Sequence, residues 1–474
     1  MDSLYDKLAG YQAEGIYPMH MPGHKRNTRL FDMPNPYSMD ITEIEGFDDL
    51  HQPEEIILHS IEQARKLYGA KHTYYLVNGS TVGLLAGIMA CTKKHDHVLV
   101  ARNCHKAVYN AIYMHELTPV YLYPEFNEDF GCYKEVLASS VKKALEENEK
   151  ISLVVLTSPT YEGIVSDIKA IAAICHEKKI PLLVDEAHGA HLGFHPYFPE
   201  SALKEGADVV IQSVHKTLPA FTQTALLHCD DKLVDQSRIK RYLSMLQSSS
   251  PSYLLMAGID QCIRYVSKNK ETVFDQYESD LKSFYERMKA LKHLTILTKP
   301  EGSGVKRDPS KIVIGVLGTT LSATELYDRL LNQYKIQLEM ISRDYGIAMT
   351  SICDTKEGYG RLAAALLEID GSLEASITTK KINPYNIPTL LTKLNPYEAM
   401  DEVYDVIPFE EAAGHISAEY IYFYPPGIPV AVPGEVISSQ LLQAILEFKD
   451  TGIHIKGVND ASLQTLRVIK QKEA

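Results

Sequence analysis

The 474-residue chain has no apolar run approaching the roughly 18 residues that a membrane-spanning helix requires. Its first residues, Met1-Asp-Ser-Leu-Tyr-Asp-Lys7, hold no cationic segment leading into an apolar stretch, so no signal peptide is expected. There is no CxxC pair. The seven cysteines are odd in number and scattered, which argues against a disulfide framework and for reduced thiols in the cytoplasm. An excess of positive charge is missing as well. A formal net charge of −13 speaks against nucleic acid or an anionic membrane as the main partner and suits a small cationic substrate. Internal repeats and low-complexity tracts are absent. What remains, 45% hydrophobic and 23% charged residues, is ordinary for a globular protein, with length for about two or three domains.

Residues 1–50 read as an irregular arm packed on the rest, because Met21-Pro-Gly-His-Lys25 and Met33-Pro-Asn-Pro36 interrupt any long element. From Pro53 a helix is predicted, with Ile57, Ile61, Ala64 and Tyr68 on one face and Gly69 at its end. Strands are then predicted at 73–77, 97–101, 119–123, 152–157, 181–185, 207–212 and 224–228, with helices between most of them, such as 82–91, 133–147 and 167–178. Short apolar strands alternating with helices imply a mostly parallel seven-stranded sheet covered on both faces. Residues 231–293 read as long helices broken at Gln247-Ser-Ser-Ser-Pro251. A second α/β unit follows, with strands at 311–316, 335–340 and 347–353 and helices at 322–333 and 358–368. Residues 371–395 look like a linker, and the tail has its own apolar runs around a Pro/Gly-dense loop at 424–435. The expected division is an arm at 1–50, a large domain at 51–293, a small α/β domain at 294–394 and a C-terminal domain at 395–474.

Ligand sites in parallel α/β sheets collect at the carboxyl ends of the strands. Two chemistry-bearing residues fall there: Asp185 closes Leu182-Leu-Val-Asp185, and Lys216 follows Asp208-Val-Val-Ile-Gln-Ser-Val-His215. This pairing is what a pyridoxal phosphate enzyme needs, a lysine to hold the cofactor aldehyde covalently and an acid to keep its pyridine nitrogen protonated. Taken alone, a lysine after a strand is usually a solvated loop residue. The strand 73–77 runs into Asn78-Gly79-Ser80-Thr81 and an apolar helix, an arrangement that can place N–H groups and hydroxyls around a phosphate. The plain alternative is an ordinary capped turn, and the Gly-Lys-Ser/Thr ending of a P-loop is missing. His105, in Arg102-Asn-Cys-His105, reaches the same edge and can stack on a cofactor ring, or be a helix-capping or core histidine. His188 could hydrogen-bond the cofactor's phenolic oxygen. His188, His191 and His195 lack the Cys or carboxylate pattern of a zinc site, so no metal is expected.

Seven short motifs occur in order: Pro22-Gly-His-Lys25, Asp49-Leu-His-Gln-Pro53, Arg102-Asn-Cys-His-Lys106, Ser158-Pro-Thr-Tyr161, Asp185-Glu-Ala-His-Gly189, Ser213-Val-His-Lys216 and Tyr424-Pro-Pro-Gly-Ile-Pro429. With them the chain resembles the compact members of the bacterial ornithine/lysine/arginine decarboxylases over nearly its whole length. The resemblance implies the aspartate-aminotransferase fold (fold type I), pyridoxal 5'-phosphate, and an active site at the interface of a homodimer. It makes Lys216 the covalent anchor, Asp185 the partner of the pyridine nitrogen and His105 the stacking residue. Ser80, Thr81, Ser213 and His215 would form the phosphate cup, with Ser249 and Ser250 reaching the phosphate of the neighbouring subunit. Longer members carry an N-terminal receiver-like wing used in higher assembly. This chain has no counterpart, so a dimer or a dimer of dimers is expected.

Aminotransferases of this fold clamp the substrate carboxylate with an arginine on a small-domain strand. The stretch Gly346-Ile-Ala-Met-Thr-Ser-Ile-Cys353 contains none, while Arg343 precedes it and Arg361 lies on the next helix. That favours decarboxylation of a basic amino acid to its amine, with His105 or Lys216 returning a proton to Cα. A buried distal cation needs an acid. The resemblance places Glu435 near it, and Asp48, Asp49, Glu43 and Glu45 of the arm are reserves. Arginine, lysine and ornithine stay equal at this point. The competing readings are an aminotransferase or lyase of the same fold, and a catalytically silent regulatory homologue.

Overall fold

The computed structural model describes residues 3–28, 33–298, 306–373, 388–424, 428–450 and 454–470. The central sheet has seven strands in the order His72–Leu76, Ala225–Cys229, Val209–Gln212, Leu182–Asp185, Ile151–Thr157, His97–Ala101, Thr118–Leu122. All seven correspond to runs read from the sequence. Ala225–Cys229 runs antiparallel to both neighbours, and the other pairings are parallel. Leu182–Asp185, Val209–Gln212 and Ala225–Cys229 are buried at every position, as expected of strands covered on both faces.

The helix Gly79–Cys91 is apolar almost all round because it lies directly on this sheet. Glycines set its distance. A Cβ at Gly83 would stand 2.7 Å from Leu76 Cδ1, and one at Gly87 2.9 Å from Leu183 Cδ1. The close approach brings the helix N-terminus to the carboxyl edge where Asp185 and Lys216 emerge. The helix Ile56–Tyr68 ends at Gly69, whose φ of 68° is the left-handed cap conformation that glycine adopts without steric cost. Gln236–Leu246 and the 36-residue Tyr253–Met288 are separated by the expected break. Among the described residues no helix is long and apolar enough to cross a membrane.

A four-stranded antiparallel sheet follows, in the order Thr295–Ile296, Lys311–Gly315, Tyr345–Met349, Met340–Ile341. Helices Ala323–Asn332 and Lys356–Gly371 accompany it, the first closed by a Ser322/Glu325 capping box. The tail packs its own core, including Phe409, Ile421, Leu441 and Ile445, beneath the helix Ser439–Asp450.

Three expectations need correction. The arm is not irregular throughout: Leu4–Tyr11 is helical, and Tyr17–Met19 pairs in parallel with Ile336–Leu338. A three-residue strand whose partner lies so far along the chain leaves no local periodicity. The helix expected over 133–147 begins only at Ala138, because Cys132–Tyr133 forms a hairpin with Phe126–Asn127 across a turn that holds Gly131 at φ 70°. The strand read at 335–340 splits into Ile336–Leu338, which faces the arm, and Met340–Ile341, which joins the small sheet. Most of the supposed linker, and Pro425-Pro426-Gly427 of the tail loop, lie outside the described residues.

Candidate active site

A cavity of about 250 Å³ opens at the carboxyl edge of the central sheet, and its lining includes Gly79, Ser80, Thr81, His105, Asp185, His188, Ser213, His215 and Lys216. One structure thus gathers nine residues read separately from the sequence. At one end, Gly79 takes φ 74° and spends its N–H on the Gln223 carbonyl (2.9 Å). An anion at this end would therefore meet the rest of the first helical turn and the hydroxyls, not the Gly79 N–H. Ser80 Oγ and Ser213 Oγ stand 2.6 Å apart, joining the helix Gly79–Cys91 to the turn after Val209–Gln212. His215 Nδ1 donates to the Thr224 carbonyl at 2.8 Å, which fixes its ring, and burial pushes its pKa down to about 4.

His105 has the capping role weighed for it and also faces the cavity. Its Nδ1 accepts the Ala107 N–H (3.2 Å) and caps the helix Lys106–Met114, while the ring forms part of the cavity wall. Burial, and then the nearby Lys216, push its pKa down to about 4, so the ring is neutral and carries its proton on Nε2. Asp185 is buried, and its Oδ1 accepts the Ala187 N–H at 3.1 Å. Burial pushes its carboxyl pKa up and Lys216 pulls it back. For Lys216 the signs reverse: burial lowers its pKa, opposed chiefly by Asp185. Lys216 Nζ lies 3.0 Å from His188 Nε2, and burial also holds His188 well below its ordinary pKa. The lysine therefore donates and the neutral imidazole accepts. The His188 ring in turn packs on Tyr161, with centroids 4.2 Å apart.

A buried polar cluster holds this turn in place. Lys311 Nζ donates to the His188 carbonyl (3.2 Å), to Asp308 Oδ2 (3.0 Å) and to Ser310 Oγ (3.0 Å). Asp308 Oδ1 lies 3.2 Å from His191 Nε2. The small sheet is thereby tied to the segment carrying Asp185 and His188.

The acids expected at the distal end of the substrate are not brought into the cavity. Glu435 is buried, and its Oε2 meets Arg102 (3.0 Å) and accepts the Val432 N–H (2.8 Å), while its Oε1 has no partner among the described residues. Asp48 accepts backbone N–H groups of Asp49, Glu54, Glu55, Ile57 and Leu58 at the start of a helix. Asp49 accepts the His51 N–H. Both acids build the turn. Replacing Asp48 by alanine is expected to cost about 1–2 kcal/mol of stability, read by urea unfolding, with catalytic constants of the folded enzyme unchanged. Ser249 and Ser250 are exposed between the two long helices, and Ser250 Oγ donates to Glu43 Oε2 at 3.3 Å.

Asn103, Tyr133, Thr157, Thr160, Tyr161, Glu162 and Ile428 also line the cavity and were given no role from the sequence. The rule about strand carboxyl ends could have found residues 157–162, which follow Ile151–Thr157. Tyr133 sits in the unforeseen hairpin and had no local signal, whereas Ile428 belongs to the quoted motif Tyr424-Pro-Pro-Gly-Ile-Pro429 of the tail.

Comparison with known proteins agrees with this geometry. Residues 2–300 match the family model described as Orn/Lys/Arg decarboxylase, major domain, and residues 380–458 match the C-terminal domain of the same family. The arginine decarboxylase of Bacillus subtilis (strain 168) is 30% identical, covering 99% of this chain and 98% of that protein. The arginine decarboxylase of Halalkalibacterium halodurans is 32% identical with the same coverage. Among solved structures, the lysine decarboxylase LdcF of Francisella novicida superposes with a TM-score of 0.79 at 19% identity, covering 99% of this chain and 84% of that one. The ureidoglycine-glyoxylate aminotransferase of Bacillus subtilis shares the fold more distantly, with a TM-score of 0.59 at 16% identity over 77% of this chain and 95% of that one. The resemblance and the fold type I architecture read from seven motifs are borne out, and the chain belongs to the Orn/Lys/Arg decarboxylase family.

Proposed function

We propose that the chain is a pyridoxal phosphate-dependent decarboxylase that converts L-arginine to agmatine and CO₂, with lysine and ornithine as lesser substrates. The observation that carries the reading is the meeting of Asp185 and Lys216 in one cavity with a helix N-terminus and two facing hydroxyls. These residues fit the cofactor. Ser80, Thr81, Ser213 and His215 would hold its phosphate, Asp185 its ring nitrogen, and Lys216 its aldehyde. His188 Nδ1 is buried without a partner among the described residues and is placed to meet a polar atom of a bound group. When bound, pyridoxal phosphate supplies an electron sink for the pair left as CO₂ departs.

The protein's own contribution is positional. Asp185 keeps a positive charge at the ring nitrogen, His105 forms one wall, and His188 orients the Lys216 amine. Lys216 Nζ or His105 Nε2 then returns a proton to Cα. The absence of a carboxylate clamp supports decarboxylation over transamination. Among the described residues no arginine lines the cavity. Arg361 donates to the carbonyls of Gly15, Tyr334 and Lys335, and Arg343 binds Asp344. The relatives named arginine decarboxylase support arginine as first substrate. Exposed Ser249 and Ser250 suit contact across a homodimer, which we assign to the cytoplasm.

The test is a panel of arginine, lysine and ornithine with cofactor-loaded enzyme, measuring CO₂ and amine. Agmatine from arginine at the highest kcat/KM is expected. Keto-acid formation without CO₂ would defeat the assignment.

A further inference from the structure

We propose that Glu339 is a positioning residue for Lys216, its carboxylate standing behind Tyr161 and favouring a proton on the lysine nitrogen while the cofactor occupies Asp185. The inference rests on the decarboxylase reading and deepens it. Glu339 joins three elements. Its N–H donates to the Ile347 carbonyl (2.9 Å) of the small sheet, at the point where the strand read over 335–340 splits. Its Oε2 accepts the Met21 N–H of the arm at 2.8 Å, and its Oε1 accepts the Tyr161 hydroxyl at 3.5 Å. The Tyr161 ring packs on His188, with centroids 4.2 Å apart, and Lys216 Nζ lies 5.8 Å from the centre of the same ring. His188 Nε2 in turn meets Lys216 Nζ at 3.0 Å. Tyr161 lines the cavity and Glu339 does not, so the acid faces the lysine through the wall.

The charges around Lys216 give this contact its consequence. Burial lowers the lysine pKa, Asp185 pulls it up most and Glu339 next, and Lys311 opposes them. Asp185 is the partner assigned to the cofactor ring nitrogen, whose positive charge offsets that carboxylate once the cofactor is bound. Glu339 is then the acid left to act on the lysine. The other groups nearby do not replace it. His188 and His105 are neutral because burial lowers both, and Lys311 is tied to Asp308 at 3.0 Å. Glu162 accepts the hydroxyls of Thr160 (2.8 Å) and Tyr345 (2.6 Å). Lys25, which also feels Glu339, donates to the His20 and Met349 carbonyls and has Asp354 3.9 Å away. The Met21 N–H and the Tyr161 hydroxyl are neutral donors, so neither cancels the Glu339 charge. A protonated lysine is the form that can return a proton to Cα. A purely mechanical strap between arm and cavity wall is the alternative to exclude.

The experiment is a pH titration of cofactor-loaded enzyme, followed by the visible absorption of the covalently held cofactor, which reports the proton on the Lys216 nitrogen. Glu339→Gln keeps the size of the side chain and removes its charge. Losing a negative charge disfavours that proton, so the midpoint is expected to move about 0.5–1 pH unit lower. The value of kcat should fall about 3- to 10-fold, with KM within a few-fold and the cofactor still bound. Glu339→Asp draws the charge back by one methylene and should titrate between the other two proteins. A strap alone would lower the melting temperature of Glu339→Gln and leave its midpoint in place. That result overturns the proposal, as does a midpoint that rises. Should Glu339→Gln not fold, Glu339→Asp decides: its midpoint should lie below that of the unmodified enzyme, and an equal one overturns the idea. If the unmodified enzyme shows no such absorption, or releases no CO₂ from any basic amino acid, the decarboxylase reading itself fails, a result distinct from these.

Discussion

Lys216→Ala abolishes turnover, by on the order of 10⁴-fold or more, and removes the visible absorption of covalently held cofactor. The lysine is half of the pairing on which the whole reading stands. Burial lowers its pKa against the pull of Asp185, and an uncharged amine is the form that can attack an aldehyde. His188 Nε2, 3.0 Å away, accepts one of its hydrogens and aims the remaining lone pair. Removing the amine takes away a hydrogen-bond donor to His188 and the charge that offsets the burial of Asp185, so a modest fall in the melting temperature of the cofactor-free protein is expected. The measurement is CO₂ release together with an absorption spectrum and a thermal melt. Catalysis near the wild-type rate would place the covalent anchor elsewhere.

Asp308→Ala is expected to have the largest effect on stability, about 3–5 kcal/mol, read by urea or thermal unfolding of the cofactor-free protein. Lys311 and Asp308 are both fully buried and His191 nearly so, and removing the carboxylate leaves an ammonium with only Ser310 and a carbonyl for partners. Replacing both members by Leu and Met should cost much less, since the uncompensated charge goes with them. Burial pushes the Asp308 carboxyl up, but Lys311 and His191 outweigh it and hold it well below the ordinary 3.8. A depressed folded pKa means that the contribution is complete above the unfolded value and is lost as pH falls toward the folded one. The unmodified protein should therefore lose stability on acidification below about pH 4 in a way that Asp308→Asn does not. Activity should suffer as well, because this cluster holds the His188 carbonyl.

The sequence carried the central sheet clearly, for a physical reason. Strands such as Val209–Gln212 are buried on both faces, so their apolar runs are unbroken, and glycines and prolines mark their ends. Asp185 and Lys216 were visible because they terminate such runs. Tyr17–Met19 was not, because its pairing with Ile336–Leu338 is decided by tertiary packing. The acids expected at the distal end lie outside the cavity, and the cause is related. An acid in a loop reads the same whether it meets solvent, a helix start as Asp48 does, or an arginine as Glu435 does. Glu162 sat beside a quoted motif, yet only the cavity distinguishes it from a surface turn.

The pairing of the arm with Ile336–Leu338 also bears on how the molecule is made. The ribosome releases Tyr17–Met19 more than about 300 residues before their partner strand, so at 5–20 residues per second the arm waits roughly 15 s to a minute with its hydrogen-bonding edge unmatched. Its neighbouring Pro18, Pro22 and Gly23 suit such a wait, since they resist pairing with the wrong strand.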